Sequence, residues 1–139
     1  MATITLTAEN LESVITTNDT VLVDFWAAWC GPCRAFGPVF EAASAAHDDI
    51  VFAKVDTEDQ QQLAAMFGIT SIPTLVAFRE QVMVYGEAGA LPAPELEKLI
   101  GAISGLDMEQ VHRQVAETKD AEAPTPERAN ETSADVAAR

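Results

Sequence analysis

The stretch Val21-Leu22-Val23-Asp24-Phe25-Trp26-Ala27 is apolar almost throughout, and it runs within three residues into Cys30-Gly31-Pro32-Cys33. An uninterrupted apolar run of this length suits a central strand covered on both faces. The residues after Cys30 read as the first turn of a helix, where Pro32 brings a preset φ and needs no amide partner. A strand that ends on two cysteines at the mouth of a helix fixes an architecture and a chemistry together. Thiols two residues apart close a small disulfide ring with little backbone movement. The unpaired amides and partial positive charge of a helix N-terminus stabilise a thiolate on the first sulfur.

Other uses of two cysteines fit less well. A buried structural pair does not explain Gly31-Pro32 between them or Trp29 before them. A zinc half-site needs two further ligands, and the chain offers only His47 and His112, far apart and outside any ligand-spaced cluster. No metal is therefore expected. A static staple closing so short a loop removes little chain entropy. The pair reads as a redox-active dithiol.

Hydrophobic residues make up 48% of the 139, enough for one folded domain with one core. The net charge of −14 argues against nucleic acid and anionic membrane as partners, since both are polyanions. Residues 1–5 carry no basic, apolar leader, and no run approaches membrane-spanning length. Cysteines confined to one motif suit a reducing compartment, so a cytoplasmic location is expected.

Periodicity lays out the rest of the chain. Thr3–Leu6 alternates like a short strand. Thr7 is placed to cap a helix over Ala8–Thr17, with Leu11, Val14 and Ile15 on one face. The central strand Val21–Ala27 is followed by a helix from Gly31 to about His47, with Phe36, Val39, Phe40 and Ala43 recurring at three and four and Pro38 inside it. Ile50–Val55 reads as a second core strand. Gln60–Phe67 reads as a helix stopped by Gly68. Thr74–Phe78 and Val82–Glu87 form an antiparallel pair, and Pro94–Ser104 a last helix. The alternation predicts an α/β fold: a central mixed sheet with helices on both faces. Residues 1–105 make the domain. Leu106, Met108, Val111 and Val115 suit an extra amphipathic helix over 106–117. Residues 118–139 lack the apolar side chains to offset ordering and read as a disordered tail.

The run Val21–Pro38 resembles the active-site segment of the thioredoxin family. The likeness extends over residues 3 to about 103, through Ala53-Lys54-Val55-Asp56, Phe67-Gly68-Ile69, Ser71-Ile72-Pro73-Thr74-Leu75 and Gly89-Ala90-Leu91. It implies the thioredoxin fold and a general protein-disulfide reductase working by thiol–disulfide exchange. Cys30 attacks a client disulfide and Cys33, more shielded, resolves the mixed disulfide. It also implies a monomer that serves oxidised client proteins and is recharged by thioredoxin reductase, a separate flavoprotein drawing on NADPH. No cofactor is expected to bind here, for the chain has no glycine-rich dinucleotide loop.

Asp24 interrupts the apolar strand. It is either a strand-edge carboxylate facing solvent or a buried acid that exchanges a proton with Cys33, as the resemblance implies. Lys54 is either a surface lysine or the partner of that acid. Pro73 either simply begins a strand or, as the family pattern implies, follows a cis bond and presents Ile72 to an extended client segment. On the resemblance, Trp29, Gly31, Pro32, Ile72, Pro73 and Gly89 would line the docking surface. Trp26 reads first as a packing residue. Where relatives often carry Asn-Gly after Phe78, this chain has Glu80-Gln81, so a differently built hairpin turn is expected. Rival functions are a disulfide oxidase or isomerase, and a redox-gated binding subunit that uses the same surface without turnover.

Overall fold

A computed structural model describes residues 3–122. It divides into two units, residues up to Gly105 and those from Leu106 on. In the first unit the order is β1 (Ile4–Thr5), α1 (Leu11–Thr17), β2 (Thr20–Trp26), α2 (Gly31–Ala46), β3 (Val51–Asp56), α3 (Gln61–Met66), β4 (Thr74–Arg79), β5 (Val82–Ala88) and α4 (Ala93–Ser104). The second unit contains α5 (Met108–Glu122).

The strands form one sheet in the order β1-β3-β2-β4-β5. β3 runs parallel to β1 and β2, whereas β4 runs antiparallel to β2 and β5, so the sheet is mixed. Strand alternation then sorts the core into two layers. Leu22, Phe52, Leu75 and Ala77 face α2 and α4, meeting Phe36, Phe40, Leu96 and Ile100. Val21, Val23, Phe25, Ala53, Val55 and Val76 face the other way, onto Leu63 of α3 and onto Leu11, Val14 and Ile15 of α1. β2 is the central strand of the five, with a neighbour on each side and a layer on each face. Its first six residues, Thr20–Phe25, are all buried. The apolar run thus sits where its composition requires.

Three elements depart from expectation. β1 is two residues long, pairing only with Ala53 and Lys54 of the six-residue β3. The helix predicted from Ala8 begins at Leu11. Asn10, not Thr7, is its N-cap; Thr7 closes the turn just ahead of it, its amide donating to Asn10 Oδ1 at 2.7 Å and its Oγ1 accepting from the Asn10 amide at 3.4 Å. The hairpin turn at Glu80-Gln81 is not built differently. Both residues take positive φ, 51° and 71°, in a two-residue loop between paired Arg79 and Val82. That is the left-handed backbone an Asn-Gly turn adopts, forced here on two ordinary side chains. In the second unit α5 starts two residues after and ends five residues beyond the predicted 106–117. The predicted tail lies, from residue 123, outside the described residues.

Candidate active site

β2 ends at Trp26 and α2 begins at Gly31, so Cys30 is the residue just before the helix. Its extended backbone, φ −88° and ψ 116°, and its side chain make it the N-cap. The Cys33 amide donates to Cys30 Sγ at 3.2 Å. A helix-end amide is thus aimed at the first of the two sulfurs, a donor that would favour negative charge there. Pro32 sits in the first turn, and Arg34 is tied back by its guanidinium donating to the Ala28 carbonyl at 2.9 Å. Cys30 and Cys33 are joined as a disulfide, with Cα atoms 5.2 Å apart.

Expected exposure does not distinguish the two sulfurs. Both cysteines are 4% exposed, so Cys33 is not the more shielded of the pair in this oxidised state. The disulfide itself hides each sulfur behind the other. Direction separates them instead. Cys30 lines an open groove of about 480 Å³ that Cys33 does not reach, together with Trp29, Gly31, Pro32 and Ile72. Cys33 lies on the α2 stripe that continues into Phe36 and Phe40 and faces the sheet.

The groove's opposite wall comes from residues the sequence did not single out: Thr57 after β3, Ala64 of α3, and Ile69, Thr70 and Ser71 before the proline. Phe67-Gly68-Ile69 and Ser71-Ile72-Pro73, as parts of the family likeness, were the signals that pointed to this wall. Gly68 takes φ +68°, turning the chain out of α3 so that Ile69 and its successors run back toward Cys30. The Ile72–Pro73 bond is cis. The Ile72 carbonyl oxygen stands 3.7 Å from Cys30 Sγ. Pro73 and Gly89 are not on the groove wall. The Gly89 amide donates to the Pro73 carbonyl at 2.8 Å, so the two brace the segment behind Ile72. Trp29 is 67% exposed at the rim, and its indole N–H donates to Glu58 Oε2 at 3.0 Å.

Asp24 is 1% exposed, not a strand-edge carboxylate. It shares the α2 side of β2 with Leu22 and Trp26, and Trp26 packs against the dithiol cluster. Among the described residues neither Asp24 carboxylate oxygen has a hydrogen-bond partner. Burial drives its pKa from 3.8 up to about 7; Lys54 opposes the rise and Glu41 adds to it. Lys54 is the in-register neighbour of Asp24 on β3. It is not a free surface lysine: its ammonium lies 5.1 Å from the Trp26 ring centre and 3.8 Å from Glu41 Oε2.

Among the described residues no group of three or more His, Cys, Asp or Glu is placed to hold a metal ion. Nor is any helix there long and apolar enough to cross a membrane. The arrangement offers a disulfide within one helical turn, an amide aimed at the groove-facing sulfur, an apolar groove, and a buried acid of near-neutral pKa beneath the same helix.

Comparison with known proteins gives this chemistry a lineage. The family model described as Thioredoxin matches residues 2–102. A putative thioredoxin 2 of Streptomyces coelicolor is 54% identical over 116 residues, 84% of this chain and 87% of that protein. Those 116 residues exceed the first unit, so this likeness runs on past Gly105. A thioredoxin of Alicyclobacillus acidocaldarius is 44% identical over 97 residues, 69% of this chain and 92% of its own. Among solved structures, a thioredoxin of Plasmodium falciparum superposes with a TM-score of 0.67 at 33% identity, covering 72% of this chain and 97% of its own. The oxidised mitochondrial thioredoxin 3 of Saccharomyces cerevisiae does so at 0.67 and 30%, covering 72% and 94%. Sequence match and fold agree, and the disulfide lies inside the residues the family model matches: the chain belongs to the thioredoxin family and is a protein-disulfide oxidoreductase.

Proposed function

We propose that this protein is a general reductant of oxidised client proteins in the cytoplasm. It acts as a monomer and is recharged by thioredoxin reductase with electrons from NADPH held on that separate flavoprotein. The observation that carries the reading is the placement of Cys30 alone in the groove, with the helix-end amide on its sulfur. A client segment laid along Trp29, Pro32 and Ile72 brings its disulfide to Cys30. The Cys30 thiolate attacks one client sulfur, and the other leaves as a thiolate. Cys33 then attacks Cys30 Sγ, expels the second client sulfur and restores the intramolecular disulfide. Two electrons and two protons pass to the client. Asp24 accepts the Cys33 proton, and Lys54 modulates it. Pro73 and Gly89 hold Ile72 at the groove edge. An acidic protein of this kind meets neutral or basic client patches, not nucleic acid.

Substituting each cysteine in turn tests the assignment. Cys30→Ser abolishes reduction of insulin disulfides. Cys33→Ser leaves the attack intact and accumulates mixed disulfides with clients, visible on non-reducing gels. Normal turnover of Cys33→Ser with a protein reductant would remove the resolving role. A client role that survives loss of both cysteines would favour a binding subunit instead.

A further inference from the structure

The buried Asp24 has an in-register lysine beside it on β3, yet the two do not bond: among the described residues neither carboxylate oxygen of Asp24 accepts a hydrogen bond. The Lys54 ammonium is turned elsewhere. It lies above the Trp26 ring and close to the α2 backbone, where a Cβ on Gly37 would stand 3.9 Å from Nζ, and it ends 3.8 Å from Glu41 Oε2. Glu41 is itself held, because Thr3 Oγ1 donates to the same carboxylate oxygen at 2.9 Å. Thr3 precedes β1, whose Thr5 pairs with Lys54 along the backbone, so the start of the fold anchors both Glu41 and the strand that carries the lysine.

We infer that Glu41 is a positioning residue: it draws the Lys54 ammonium away from Asp24 and so keeps the buried carboxyl able to take up and release a proton. The inference rests on the proposed role of Asp24 as proton acceptor. A lysine free to bond Asp24 would hold the carboxylate ionised and blunt it as a base. Glu41 prevents this in two ways. It competes for the ammonium, and its own negative charge faces the same buried group.

Few other charges bear on Asp24. From β3, Asp56 shares its face two residues beyond Lys54; across β4, Leu75 is its neighbour, and Glu87 and Tyr85 of β5 lie one strand further. From α2 come Cys33 and Glu41. α4 contributes the apolar Leu96 and Ile100. Of the charged groups, Lys54 and Glu41 are the two that act on the carboxyl.

The test titrates Asp24 by carboxyl carbon NMR in the full chain, with Asp24→Asn to assign the signal. Glu41→Gln should lower the midpoint by about half a pH unit, because a repelling charge is lost and the ammonium is freed. Glu41→Asp, which keeps the charge, should recover most of the wild-type midpoint. In a Lys54→Met background the effect of Glu41→Gln should shrink to direct repulsion alone. An unchanged midpoint in Glu41→Gln overturns the inference. An equal shift in both lysine backgrounds also overturns it, since Glu41 would then act without Lys54. The acid limb of mixed-disulfide resolution is followed in parallel. A midpoint that moves while the rate profile stays fixed supports the positioning by Glu41 and instead removes the proton-acceptor role of Asp24.

Discussion

Asp24 carries the largest electrostatic penalty in the first unit. A carboxyl whose folded pKa lies above its unfolded value binds a proton more tightly in the native state. Its contribution therefore favours folding at low pH and is lost as pH rises from 3.8 through about 7. The full interval corresponds to roughly 4 kcal/mol. Asp24→Asn removes the charge but leaves a buried amide to satisfy, which returns part of the gain. We expect Asp24→Asn to raise unfolding free energy by roughly 1–3 kcal/mol at pH 8 and by little at pH 4. Urea titrations at the two pH values check this, and equal effects at both would show that the gain is not electrostatic. The same substitution should slow mixed-disulfide resolution more than client docking. The sequence announced this residue by contrast alone: one acid in an apolar strand. It did not announce that Cys33 is as buried as Cys30, because sulfur exposure depends on the oxidation state of the pair.

At the scale of elements, the sites that the sequence made plain are those where one local rule dominates. β2, β3, α2 and α4 follow from apolar runs and helical spacing, and their ends fall within a residue or two. Elements bounded by tertiary contact were less legible. β1 uses only two of the six residues that its one neighbour offers, and the groove wall at Thr57, Ala64 and Ile69–Ser71 exists only because α3 packs beneath the sheet. The β4–β5 turn shows a third case, in which register overrides turn chemistry. Pairing of Arg79 with Val82 leaves two residues to reverse the chain, and Arg79 is fixed by its ion pair to Asp19 at 3.0 Å and its bond to the Ile103 carbonyl at 2.7 Å. Glu80 and Gln81 both take positive φ in that two-residue loop, although neither is glycine or asparagine. A non-glycine residue there is strained by about 1 kcal/mol. Gln81→Gly should raise stability by about 0.5–1 kcal/mol, net of the extra freedom glycine has when unfolded. Gln81→Val should lower stability by at least about 1 kcal/mol, because branching at Cβ is ill-suited to this backbone. Opposite shifts of the denaturation midpoint support the account, and a loss with glycine would refute it.

For the whole molecule, the question is how much chain the chemistry needs. Both core layers, the dithiol cluster and every residue assigned to the groove fall between Leu6 and Ile103. The segment beyond Gly105 supplies none of them. Its first part forms α5. Its last part, from residue 123, has Pro124 and Pro126, mixed charges and only Val136 as a sizeable apolar side chain, so its composition gives it little to bury. We expect a chain cut after Glu122 to melt within about 2 °C of the full protein, a shift below about 0.5 kcal/mol for a domain of this size. We expect a chain cut after Gly105 to fold and to reduce insulin at the full rate. Thermal melting and insulin turnover on the two truncations decide the matter. A large loss of melting temperature from the first cut would show that residues 123–139 contribute contacts their composition does not suggest. Loss of turnover from the second, with the fold intact, would place part of the client surface beyond Gly105, where the likeness to the Streptomyces protein also continues.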